Sequence, residues 1–123
     1  MKELLDKIKL FVLDMDGTFY LGENQIDGAL EFTRRVRERG DFVFFTNNSS
    51  KNGVMYVEKL NRMGCPVSEK DIMTSGDVTV EYLKTNYPGQ KVYLAGTPAL
   101  GVLFQKAGIC LTKEKPDVVV VRF

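Results

Sequence analysis

Short, uninterrupted apolar runs recur along this chain, and each is followed by a stretch with helical spacing. Leu10-Phe11-Val12-Leu13, Phe42-Val43-Phe44-Phe45, Val92-Tyr93-Leu94-Ala95 and Val118-Val119-Val120-Val121 are four such runs, with a shorter one at Ile72-Met73. A continuous apolar run of this length suits a strand buried on both faces, as in a parallel sheet. Between the runs, the spacing predicts helices over 29–39, 53–63, 78–86 and 99–107. The first carries Leu30, Thr33 and Val36 on one side, the second Val54, Val57 and Leu60, the third Val80 and Leu83. Gly40 and Gly64 are read as helix stops, Pro88-Gly89 closes the third helix, and Pro98 suits a first helical turn. Strand alternating with helix is the pattern of an α/β fold with a parallel sheet. Residues 17–26, broken by Gly17, Gly22 and Asn24, read as a loop or a small hairpin.

Composition narrows the chemistry. At 123 residues the chain has room for one compact domain and hardly for two. Seventeen basic and sixteen acidic residues leave a net charge of +1, which makes no electrostatic case for nucleic acid or an anionic membrane. No apolar run approaches the roughly 20 residues needed to span a bilayer. The first nine residues read as a short amphipathic lead-in rather than a signal peptide, and a cytoplasmic location is expected. There is no histidine. Cys/His zinc sites, Ser-His-Asp hydrolases and Cys-His hydrolases are therefore excluded within the chain, and acid/base chemistry falls to carboxylates, lysines or tyrosines. Cys65 and Cys110 are expected to be reduced thiols, Cys110 as a small core residue.

The first apolar run ends on Asp14-Met15-Asp16-Gly17-Thr18. Ligands of open α/β sheets bind outside the carboxyl ends of the strands. A one-residue gap lets two carboxylates converge there, with Met15 directed into the domain and Gly17 allowing backbone N–H groups to approach an anion. Two acids on one loop need a cation, a shared proton or solvent between them. Mg²⁺ suits such a site, since it takes oxygen ligands and bridges to substrate phosphate. An anionic Asp can then attack phosphorus while the second protonates the leaving oxygen and later activates water. A bare Asp-x-Asp after a strand is more often a solvated turn; the surrounding apolar run and a matching second strand end shift the balance.

That second end is Phe44-Phe45-Thr46-Asn47-Asn48. If the first two strands are neighbours, Thr46 lies beside Asp14, and its hydroxyl and the loop N–H groups could hold phosphate oxygens. The same cluster also reads as a helix N-cap, supplied by Asn48, Ser49 or Ser50. Gly96-Thr97-Pro98 reads as a plain strand-to-helix turn. No GxxxxGK[ST] or GxGxxG string occurs, so a nucleotide-binding P-loop is not supported.

Taken together, the string Phe11 to Thr18 resembles the first motif of the haloacid dehalogenase superfamily, and Phe44 to Lys51 resembles its second. Tyr20-Leu21-Gly22, Gly28-Ala29, Ser75-Gly76-Asp77 and Leu94-Ala95-Gly96-Thr97 are similar to the NagD-like, p-nitrophenyl phosphatase-like branch with a C2-type cap. The resemblance implies a Rossmann-type parallel sheet flanked by helices over 1–80 and the beginning of an α/β cap domain over 81–123. It implies Asp14 as nucleophile and Mg²⁺ ligand, and Asp16 as general acid/base with its backbone carbonyl on the metal. Thr46 and Asn47 would bind the phosphoryl group, with Gly17 and Asn48 completing the substrate loop. The implied substrates are small phosphomonoesters, such as sugar or nucleotide phosphates and p-nitrophenyl phosphate. The family's third-motif lysine and fourth-motif acids lie well downstream, and the chain stops at Phe123, inside what should be the cap. The alternative is therefore a catalytically inactive fragment or a phosphate-binding module. Homo-oligomerisation is left open.

Overall fold

The computed structural model describes residues 1–48 and 51–122. It divides into two compact units, Met1–Thr46 with Tyr56–Met73, and Asn47–Met55 with Thr74–Phe123. The first holds helix α1 (Lys2–Asp6), strand β1 (Leu10–Leu13), a hairpin of β2 (Tyr20–Leu21) and β3 (Asn24–Gln25), helix α2 (Ala29–Arg37) and strand β4 (Asp41–Thr46). Most of helix α3 (Gly53–Arg62) and of strand β5 (Ile72–Thr74) belongs to it as well. The second carries α4 (Ser75–Asn86), β6 (Lys91–Ala95), α5 (Pro98–Lys106), β7 (Cys110–Leu111) and β8 (Val118–Val121). The expected α/β architecture is what forms: parallel strands with helices between them.

In the first unit the sheet order is β1-β4-β5. β1 and β4 are parallel, in register from Leu10 opposite Asp41 to Leu13 opposite Phe44. β4 alternates cleanly, with Phe42, Phe44 and Thr46 buried. Phe44 meets Phe42 and Phe19 edge-on at 5.3 and 5.2 Å between ring centres, a favoured aromatic geometry. Met15, Tyr20, Val36, Tyr56, Leu60, Cys65 and Ile72 complete this core. The second unit has its own sheet, β7-β6-β8, with both pairings parallel, over a core of Val80, Leu83, Val92, Leu100 and Phe104.

Several expectations are corrected. β1 is not buried on both faces: Phe11 and Leu13 pack inward, but Leu10 and Val12 are 54% and 64% exposed. Among the described residues β1 is an edge strand of its three-stranded sheet. The buried residues of α3 are Tyr56, Lys59 and Leu60; Val57 is partly buried against the same core, and of the expected stripe only Val54 faces solvent. Asn52 caps α3, its Oδ1 accepting from the Met55 N–H at 3.1 Å, so the cap lies beyond Asn48; Ser49 and Ser50 fall outside the described residues. α4 starts at Ser75, three residues before its apolar pattern, because Thr74 and Asp77 form a capping box. β7 was not legible in the sequence, and it places Cys110 at the surface; both cysteines are free thiols. The N-terminal lead-in is α1, which buries no residue.

Candidate active site

The turn after β1 is held by its own backbone. The Met15 carbonyl accepts from the N–H groups of Thr18, Phe19 and Tyr20 at 3.1, 2.9 and 3.3 Å, and Gly17 N–H donates to the Tyr20 carbonyl at 2.8 Å. Gly17 adopts φ of 79°, the left-handed region that a glycine enters without steric cost. Met15 is fully buried while Asp14 and Asp16 on either side of it are exposed. The alternation thus anchors the turn by one apolar side chain and presents both carboxylates to solvent. Thr18 Oγ1 lies 3.4 Å from Asp14 Oδ2.

Tyr20, the first residue of the hairpin, is buried beneath this turn and bridges to Asp16. Burial pushes its phenol well above the ordinary tyrosine value, and the nearby Asp16, Tyr56 and Asp14 add to the effect. A neutral phenol under two carboxylates is a consistent arrangement, since ionising it would add a third negative charge.

Parallel pairing of β1 and β4 sets their carboxyl ends side by side, so Asp14, Asp16, Gly17 and Thr46 gather at one end of the same sheet. Thr46 is only 2% exposed and continues the buried register of Phe42 and Phe44. Asn47 and Asn48 follow directly but belong to the second unit, where the Asn47 carbonyl accepts from Ser75 Oγ at 3.0 Å.

For a divalent cation, the donor set is of the right kind and small. Two exposed carboxylates are hard oxygen donors of the sort Mg²⁺ prefers, and that ion keeps several waters when bound by one or two carboxylates. Among the described residues no group of three acidic, cysteine or histidine side chains is poised for a metal. Asp14 and Asp16 are thus donors of the right kind for such an ion, but a pair rather than a full ligand set.

Sequence reasoning missed one residue here. Lys59 is buried, its Nζ donating to the Gly22 carbonyl at 2.8 Å and standing 3.8 Å from the centre of the Tyr20 ring. Its spacing from Tyr56 and Leu60, three before and one after, was the available signal.

A parallel α/β unit with two exposed carboxylates on a glycine turn at the carboxyl end of a strand places those groups where open α/β sheets bind their ligands. The chain belongs to the haloacid dehalogenase-like hydrolases, a family that matches residues 11–110. Among its relatives, the acid sugar phosphatase of Staphylococcus aureus is 32% identical over 119 residues, covering 95% of this chain and 46% of that protein. The crystal structure of a 4-nitrophenylphosphatase from Thermotoga maritima is 44% identical with a TM-score of 0.91, over 96% of this chain and 46% of that one. NagD from E. coli K-12 superposes with a TM-score of 0.81 at 29% identity, over 92% and 45%. These are the branches to which the two motifs point. The chain spans about half the length of the relatives it matches.

Proposed function

We propose that this chain is the front portion of a Mg²⁺-dependent phosphatase acting on small phosphomonoesters. The observation that carries the reading is the Asp14-to-Gly17 turn: two exposed carboxylates, locked by backbone hydrogen bonds at the carboxyl end of β1, beside the end of β4. A glycerol phosphate phosphatase from Mycobacterium tuberculosis, 28% identical with a TM-score of 0.82, has been crystallised with magnesium and also with calcium, which supports a divalent cation. Residues 1–80 read as part of the core and 81–123 as the opening of a cap.

In this reading Asp14 attacks phosphorus through its carboxylate, forming an aspartyl-phosphate as the bond to the leaving oxygen breaks. Asp16 gives its proton to that oxygen, then takes one from the water that hydrolyses the aspartyl-phosphate. The Thr46 hydroxyl would hold phosphoryl oxygens, and Asn47 and Asn48 remain candidates from the sequence; the Gly17 N–H is already donated to the Tyr20 carbonyl. Mg²⁺, held in part by Asp14 and the Asp16 backbone carbonyl, would neutralise phosphate charge.

The test is hydrolysis of p-nitrophenyl phosphate by this chain and by the chain extended downstream with the matching portion of the Thermotoga 4-nitrophenylphosphatase. The extended protein should turn over only with Mg²⁺, lose activity on chelation, and fall by at least about a thousandfold as Asp14→Asn. A folded extended protein that hydrolyses no phosphomonoester, or that keeps its rate as Asp14→Asn, would end the proposal. Turnover by the extended form alone would mark this chain as the inactive fragment.

A further inference from the structure

We propose that Lys59 is a positioning residue for the carboxylate turn, clamping the β2–β3 hairpin at its tip and its stem so that the hairpin holds Asp16 and Gly17 in place. The inference rests on the reading of Asp14 and Asp16 as the reacting groups. Lys59 is 6% exposed. A buried ammonium is costly unless paired and hydrogen-bonded. Its partners include the Gly22 carbonyl at 2.8 Å, the face of Tyr20 at 3.8 Å and the exposed Glu23 carboxylate at 3.8 Å. All three sit on the hairpin.

The hairpin in turn touches the reactive loop through backbone. The Tyr20 carbonyl takes the Gly17 N–H, the Tyr20 N–H goes to the Met15 carbonyl, and Asp16 bridges to Tyr20. A cation on α3 is thus connected to the Asp14–Gly17 turn in two steps, ammonium to hairpin and hairpin to turn. Filling space between α3 and Tyr20 would need only an apolar side chain. The ammonium adds what methylenes cannot: a donor to a carbonyl at the hairpin tip and an attraction to an aromatic face at its stem.

Amide hydrogen exchange on this chain tests the proposal without substrate or metal. In Lys59→Met, which keeps the packing volume, the Gly17 and Tyr20 amides should exchange at least about tenfold faster, with Phe42 and Phe44 of β4 unchanged. Lys59→Arg, which keeps charge and donors, should recover most of the protection. Unchanged Gly17 protection in folded Lys59→Met overturns the inference. So does an equal loss across β4, which would reduce Lys59 to general packing. Should Lys59→Met not fold, Lys59→Gln serves: it retains a donor without charge, so Gly17 protection between wild type and none is expected, and full protection refutes the clamp. In the extended enzyme Lys59→Met should lower kcat about tenfold with KM within about twofold. A rise in KM alone counts against it. Because exchange reads the clamp and turnover reads the chemistry, failure of the phosphatase reading leaves the exchange result standing, and the reverse holds too.

Discussion

Asp71 shows how a single side chain can tie folding to pH. It is 5% exposed, and its carboxylate accepts from the Ser68 N–H at 2.9 Å and pairs with Arg37 at 3.1 Å. Burial by itself would raise its pKa, but the Ser68 N–H and the Arg37 guanidinium outweigh burial and hold the carboxyl below its ordinary value. Arg37 is itself placed by the face of Phe42, 4.0 Å away, and by Asp41. The charged form is thus favoured in the folded state. This stabilisation is fully present above about pH 4 and is lost as pH falls through the lowered folded value. Asp71→Asn should cost about 1 to 2 kcal/mol at neutral pH and flatten the acid limb. Urea unfolding midpoints from pH 7 down to 3 would show it: parallel curves for wild type and variant would refute the linkage.

At the scale of elements, Gly40 shows how a correct boundary can carry an incomplete reason. It reads in sequence as a helix-stop glycine, and α2 does end just before it, with the Gly40 N–H donating to the Val36 carbonyl at 2.8 Å. Yet Gly40 is not in the left-handed region, whereas Gly64 after α3 is, at φ of 90°. What Gly40 requires is space: an added Cβ would lie 2.7 Å from the Lys9 carbonyl oxygen, the same oxygen that accepts from the Asp41 N–H. The glycine lets the chain leaving α2 pass close to the start of β1 and enter β4 in register. Gly40→Ala should therefore cost about 1 to 3 kcal/mol, since a backbone atom cannot rotate away. A melting temperature within a degree of wild type would count against that account. The same distinction runs through other elements. Apolar runs announced β1, β4, β6 and β8, but α3 turned its Tyr56–Lys59–Leu60 side inward, and only packing shows that a lysine lies there. The start of α4 was written in Thr74 and Asp77, a polar signal that an apolar pattern overlooks.

For the molecule as a whole, two cores rather than one organise the chain. The cluster around Phe44 and the cluster around Phe104 share no residue. Phe104 is fully buried between α4, α5 and the second sheet, and truncating it should remove about 3 to 5 kcal/mol from its own core. Phe104→Ala is expected to strip exchange protection from Val92 and Leu94 while Phe42 and Phe44 keep theirs. Simultaneous loss in both sheets would show a single cooperative core instead. Among the described residues no helix is long and apolar enough to cross a membrane.

Sequence alone determined the α/β class, the positions of the main strands, and the turn at Asp14 and Asp16, because apolar runs, glycines and short polar strings act through neighbouring residues. Tertiary structure alone decided that Leu10 and Val12 of β1 face solvent, that Thr46 is buried, and that Lys59 reaches the hairpin next to the carboxylate turn. Those depend on which segments meet, and residues thirty-seven positions apart, such as Gly22 and Lys59, meet only after strands have paired and helices have chosen a face.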